Sequence, residues 1–204
     1  MSNFFKYTVF SVIGISIINI VSTLMEVSLI NNSLNGRHSE VLFSSLANAN
    51  DERVLTISIL YMAIILVSYF VVARWFFIIS KFNHSKNIEG LKFSPGSSVW
   101  WFFVPIASLF MPYKAIKESY QASFNENNWK SISIPSFFKI WWASFILGNI
   151  AGQIVSRMPD NSLGLVQASN YINIISDILV VISAYCLFKI FNVINQNQSD
   201  NFNI

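Results

Sequence analysis

Charge is what this chain has least of. Only 11% of its 204 residues are Asp, Glu, Lys or Arg, where soluble domains carry roughly 25%, so it lacks the polar surface that keeps a domain in water. A single cysteine, Cys186, excludes an intramolecular disulfide and a cysteine-built metal cluster. The two histidines, His38 and His84, fall on loops that the topology below puts on opposite sides of a membrane. Neither has Cys, Asp or Glu at ligand spacing, so no metal site is expected. HExxH, GxSxG, the P-loop and GxGxxG are all missing, which leaves no cofactor motif and no recognised catalytic constellation, and makes an enzyme the weaker expectation. The net charge of +3 comes without a dense basic stripe, which speaks against nucleic acid.

What is present is apolar length. Hydrophobic residues make up 53% of the chain and the mean hydropathy is +0.51. The pattern predicts an all-α membrane protein, a single polytopic domain over 1–194, with spans at about 7–30, 54–79, 137–156 and 171–193. The first span, Tyr7 to Ile30, follows one cation, Lys6, and has no small-x-small cleavage pattern after it, so it reads as a retained signal anchor. Val54 to Ala73 is a 20-residue run without a charge, long enough for a bilayer core of about 30 Å. Residues 31–53 read as a polar external loop, and 195–204, rich in Asn and Gln, as a disordered tail.

A fifth apolar stretch, Val99 to Tyr113, has only 15 residues and contains Pro105 and Pro112. It is too short and too broken for a straight span, and reads as a re-entrant or interfacial segment over 97–112. Past Pro112, the residues Tyr113, Ile116, Tyr120 and Phe124 recur at helical spacing opposite Lys114, Lys117, Glu118 and Gln121, which predicts an amphipathic interfacial helix over 113–124.

The cations test that count. With four spans and both termini inside, Lys6, Arg74, Lys81, Lys86, Lys92, Lys114, Lys117, Lys130, Lys139 and Lys189 are cytoplasmic, and only Arg37, Arg53 and Arg157 are external, a split of 10 to 3. A fifth crossing at 99–113 makes the split 6 to 7, which erases the positive-inside bias. The four-span reading therefore stands, in the cell (inner) membrane. Trp75, Trp141 and Trp142 suit an aromatic belt at the inner interface.

Glu26 and Asp177 are the acids inside spanning segments, about 6 Å and 10 Å from the outer ends of their helices at 1.5 Å per residue. They are the candidate functional acids, an outward-facing cation or proton site with Arg157 as partner. The alternative is an ion-paired, partly wetted cluster that fixes helix packing. Ser144, Gly148, Gly152 and Ser156 follow one another at i+4 and form a small-residue face for packing inside the chain or in a homodimer.

The run Phe93-Ser94-Pro95-Gly96, then Val99, Trp101, Phe103, Pro105-Ile106-Ala107, Leu109, Pro112-Tyr113 and Ala115 resembles the signature of a bacterial membrane family catalogued as domain of unknown function 4328. The flanking basic helix end and the following span extend the resemblance to about two-thirds of the chain. Ser97 stands where the family pattern has Trp, and Ser108 where it has Asn. The resemblance implies a bacterial integral membrane protein and brings no substrate or reaction. The function expected is a non-enzymatic module binding a protein partner or lipid through the Pro-broken hairpin and its basic residues. The alternative is a small transporter or channel component. The partners left open are the bilayer itself, a second copy and another membrane protein.

Overall fold

The computed structural model describes residues 2–104, 106–124 and 128–202, and among them every regular element is helical. In chain order these are α1 (Ser2–Leu34), α2 (Glu40–Ser85), α3 (Pro95–Trp100), α4 (Met111–Ala122), α5 (Ser136–Val155) and α6 (Leu163–Phe202), with single 3-10 turns at Ala107–Leu109 and Trp129–Ser131. Three helices, α1, α2 and α6, are long and apolar enough to cross a membrane, as expected of a membrane protein. At 33, 46 and 40 residues they are about 50, 69 and 60 Å long, well beyond a hydrocarbon core of about 30 Å. The 20-residue α5 carries Lys139, Asn149 and Gln153 among its apolar residues, which dilutes it.

Helix runs further than hydropathy alone predicts. The expected loop over 31–53 is mostly helical, with only Asn35–Ser39 between α1 and α2. Its polar residues are engaged from helical positions: Gln167 donates to Asn31 Oδ1 at 2.6 Å and Arg53 Nε to Ser22 Oγ at 3.1 Å. The tail expected to be disordered is the end of α6, as far as Phe202. There Gln198 donates to Asn83 Oδ1 at 2.8 Å and Asn197 to Ser123 Oγ at 3.1 Å, so its amides serve as tertiary partners rather than solvent-facing groups.

The sequence reads as one domain; contacts divide it into two compact units. Unit 1 comprises 1–9, 67–143 and 183–204, and unit 2 comprises 10–66 and 144–182. The core of unit 1 is aromatic. Phe5 stacks on Phe191 with ring centres 4.0 Å apart, Trp75 packs on both at 5.0 and 5.4 Å, and Phe76 bridges Trp75 to Phe102. Trp75 and Trp141 are buried and thus act as core residues rather than as an interfacial belt.

Unit 2 is built of helix segments that alternate in direction. Ser22 of α1 meets Arg53 of α2, Asn19 of α1 meets Asp177 of α6, and Asn31 meets Gln167, so α1 is antiparallel to both α2 and α6. Gly148 of α5 packs on Ser176, Leu179 and Val180 while Gly152 packs on Ser176, which makes α5 antiparallel to α6. In its most apolar stretch α2 has no buried residue, whereas α1 and α6 bury 39% of theirs.

Candidate functional site

Unit 2 holds a polar seam whose spacing follows from the helix repeat. Asn19 and Glu26 are seven residues apart on α1, and Asn170 and Asp177 seven apart on α6, so each pair shares one face two turns apart. The antiparallel register then sets Asn19 against Asp177 and Glu26 against Asn170. Asp177, 2% exposed, accepts from Asn19 Nδ2 at 2.8 Å and from the Tyr61 hydroxyl. No cation among the described residues faces it. One turn from Asn19, the fully buried Ser16 hydroxyl has no partner among the described residues.

The second layer centres on Glu26. Asn50, Asp51 and Arg53 of α2 act on its carboxylate, as does Asn170. Asn170 faces it without well-formed hydrogen-bond geometry, because its amide nitrogen is buried and unpartnered. Arg53 is fixed from three sides: Nε donates to Ser22 Oγ at 3.1 Å, and Nη2 to Ser22 O at 3.0 Å and Asn50 Oδ1 at 2.5 Å. No ion pair closes between Arg53 and Glu26. Beside these groups, Met25, Leu29, Leu46, Ala49, Asn50 and Arg53 line a groove of about 240 Å³.

The predicted partner Arg157 is exposed beyond the end of α5 and meets neither acid; Arg53 has that place beside Glu26. The two acids occupy separate layers, each with its own neutral donors, rather than one cluster. Of the small-residue face, Ser144 is buried, Gly148 and Gly152 lie against α6, and Ser156 is exposed. A Cβ on Gly148 would sit 3.4 Å from Leu179 Cβ, and Ser176 Oγ donates to Gly148 O at 3.0 Å. That face is therefore used within the chain.

The Pro-rich motif lies in unit 1. Ser94 caps α3 by accepting from Ser97 N at 3.2 Å. Pro95 then occupies the first helical turn, where a missing N–H costs nothing. Gly96 is exposed, Trp101 and Tyr113 are half-buried, and Pro112 is buried at the start of α4. Pro105 lies outside the described residues. Ile106 beside it has a positive φ of 64°, a strained backbone for a β-branched residue. Trp100, Phe103, Ile106, Leu109 and Phe110 are exposed, forming an apolar edge with exposed Lys92 and Lys114 on either side in the chain.

The helix expected at 113–124 begins at Met111, and its polar side is divided: Lys114 is exposed, but Glu118 and Gln121 are buried. Glu118 is 9% exposed and accepts Lys92 N–H at 2.9 Å and Phe93 N–H at 3.0 Å. Gln121 donates to Lys130 O and Ile132 O, Trp129 Nε1 to Glu89 O and Trp142 Nε1 to Leu109 O. Burial raises the Tyr120 hydroxyl above the ordinary tyrosine range. No group of three His, Cys, Asp or Glu placed to hold a metal exists among the described residues.

Comparison with curated proteins and with solved structures gives no match. A family model does match, over residues 39–196, a range that contains the whole Pro-rich motif as well as all of α2, α5 and most of α6. The match covers well over half of the chain, which therefore belongs to the family described as "Domain of unknown function (DUF4328)".

Proposed function

We propose that the chain crosses a bacterial inner membrane four times, through α1, α2, α5 and α6, with both termini cytoplasmic. In this reading residues 97–112 dip into the near leaflet and return. Two observations support it. In unit 2, α5 runs opposite to α2, so the intervening segment 86–135 must start and finish at the same end of the helix pair. Unit 1 also contains the same ten cations that four crossings assign to the cytoplasm, and unit 2 the same three arginines. Cysteines placed at Ser44, Asn128 and Ser199 in a Cys186→Ser background test the topology: only Ser44→Cys should react with an impermeant reagent in intact cells.

The function this geometry supports best is a non-enzymatic module that holds anionic lipid at the cytoplasmic surface. The observation that carries it is the exposed edge of Trp100, Phe103, Ile106, Leu109 and Phe110 between Lys92 and Lys114. An apolar wedge buries itself in the acyl boundary, and lysines beside it meet phosphates at about 1 kcal/mol each. In vesicles, spin-labelled phosphatidylglycerol should be selected over the zwitterionic lipid, and the triple variant Lys92→Gln, Lys114→Gln, Lys117→Gln should lose that selection. Equal selection by the variant would sink the reading.

A second reading, a small transporter component, draws on Asp177, buried with neutral donors alone. Asp177→Asn should then abolish ion or proton flux in proteoliposomes, while a lipid-binding module shows no flux to lose.

A further inference from the structure

We infer that the groove beside Arg53 in unit 2 binds a zwitterionic phospholipid, with its phosphate on the guanidinium and its amine toward Glu26 and Asp51. The inference needs only that α2 crosses a membrane, and stands apart from the lysine-edged surface proposed above.

Three features converge on it. Arg53 immediately precedes the uncharged run Val54 to Ala73, which places it at the level of lipid headgroups in any bilayer that α2 spans. Its Nε and Nη2 are engaged by Ser22 and Asn50, while Nη1 has no partner among the described residues. The guanidinium is thus pre-oriented with one donor edge unspent, suited to a phosphate oxygen.

The local charge selects the rest of the headgroup. Asp51 and Arg53 both act on Glu26, so two acids and one cation meet there, and unit 2 as a whole has three cations against six acids, a formal −3. That field disfavours a purely anionic headgroup and favours one that brings its own amine.

The remaining walls, Met25, Leu29, Leu46 and Ala49, are apolar. At about 240 Å³ the groove falls below the roughly 300–1,000 Å³ of sites that engulf a whole small molecule. It fits part of a ligand whose remainder lies outside, as an acyl chain does.

Native mass spectrometry of the delipidated full chain tests this, in a Lys92→Gln, Lys114→Gln, Lys117→Gln background that removes the lysines of the other proposed lipid surface. Dioleoyl-phosphatidylethanolamine should form one retained adduct, at concentrations about tenfold below dioleoyl-phosphatidylglycerol. Arg53→Gln should weaken it about tenfold, and Glu26→Gln should equalise the two lipids. Ala49→Trp fills the groove without touching the Arg53 hydrogen bonds, and should remove the adduct even if Arg53→Gln proves unstable. Equal binding of the two lipids by the parent protein overturns the inference, as does an adduct that survives Ala49→Trp. Competition by glycerophosphoethanolamine at the same concentration as the lipid would assign the site to a soluble zwitterion and overturn the lipid as its source.

Discussion

The two units lean differently in how they use polar side chains, although unit 1 also has side-chain pairs at Gln198–Asn83 and Asn197–Ser123. In unit 1, Glu118, Gln121, Trp129, Trp142 and Asn201 spend their hydrogen bonds on backbone groups of other segments. In unit 2 the bonds that join helices run chiefly from side chain to side chain, Asn19 to Asp177, Arg53 to Ser22, Gln167 to Asn31. The reason is backbone regularity. Unit 1 contains the irregular chain between α2 and α5, whose N–H and C=O groups have no helical partner and must be met by something. Unit 2 is nearly all helix, its backbone satisfies itself, and its polar side chains are left for one another or for a ligand. Charge follows the same division, with ten cations and four acids in unit 1, a formal +6, against −3 in unit 2.

The sharpest way to break this contrast is to remove Glu118. Glu118→Ala leaves two part-buried N–H groups unmet, each a bond to a charged acceptor worth roughly 1.5–3 kcal/mol, and should lower unfolding free energy by about 3 kcal/mol in a steric-trapping or denaturant titration. A variant as stable as the parent would mean that the loops of unit 1 do not depend on side-chain partners. Next, Gly148→Leu should cost about 1–3 kcal/mol by overpacking α5 against α6. Gly14→Leu, where nothing lies within 4 Å, should be near neutral.

A smaller effect compares one turn in each unit. Gly36 and Gly90 have φ of +66° and +78°, so alanine at either should cost about 1–2 kcal/mol for the left-handed backbone. At Gly90 alone a Cβ would meet Lys130 Nζ at 2.6 Å. Gly90→Ala should therefore exceed Gly36→Ala slightly, and Lys130→Ala should erase the difference. The smallest change is expected at Asp177. Asp177→Asn removes a buried charge that has no cation, so thermal unfolding should shift little or upward, whereas Glu118→Gln should destabilise. Equal losses in the two variants would dissolve the distinction between the units.

Much of this was legible in residue order. Hydropathy locates α1, α2 and α6, and the twin prolines mark where the chain stops being regular. What escaped were contacts that depend on register between distant helices. Arg53 reads as the last residue of a loop because charge precedes Val54, and only the α1–α2 pairing brings it to Ser22. Arg157 looks equivalent by depth, yet it lies past the end of α5. The heptad spacing of Asn19 with Glu26, and of Asn170 with Asp177, was the available clue to the seam. Glu118 left no such clue, since a helical glutamate just after Lys114 and Lys117 reads as solvated until the turn before α3 is seen to need an acceptor.

The bareness of α2 carries a mechanical consequence. In any bilayer that α2 spans, a most apolar stretch with no buried residue would meet lipid directly. The tilt of that stretch would then answer to hydrocarbon thickness, ahead of segments held by protein neighbours.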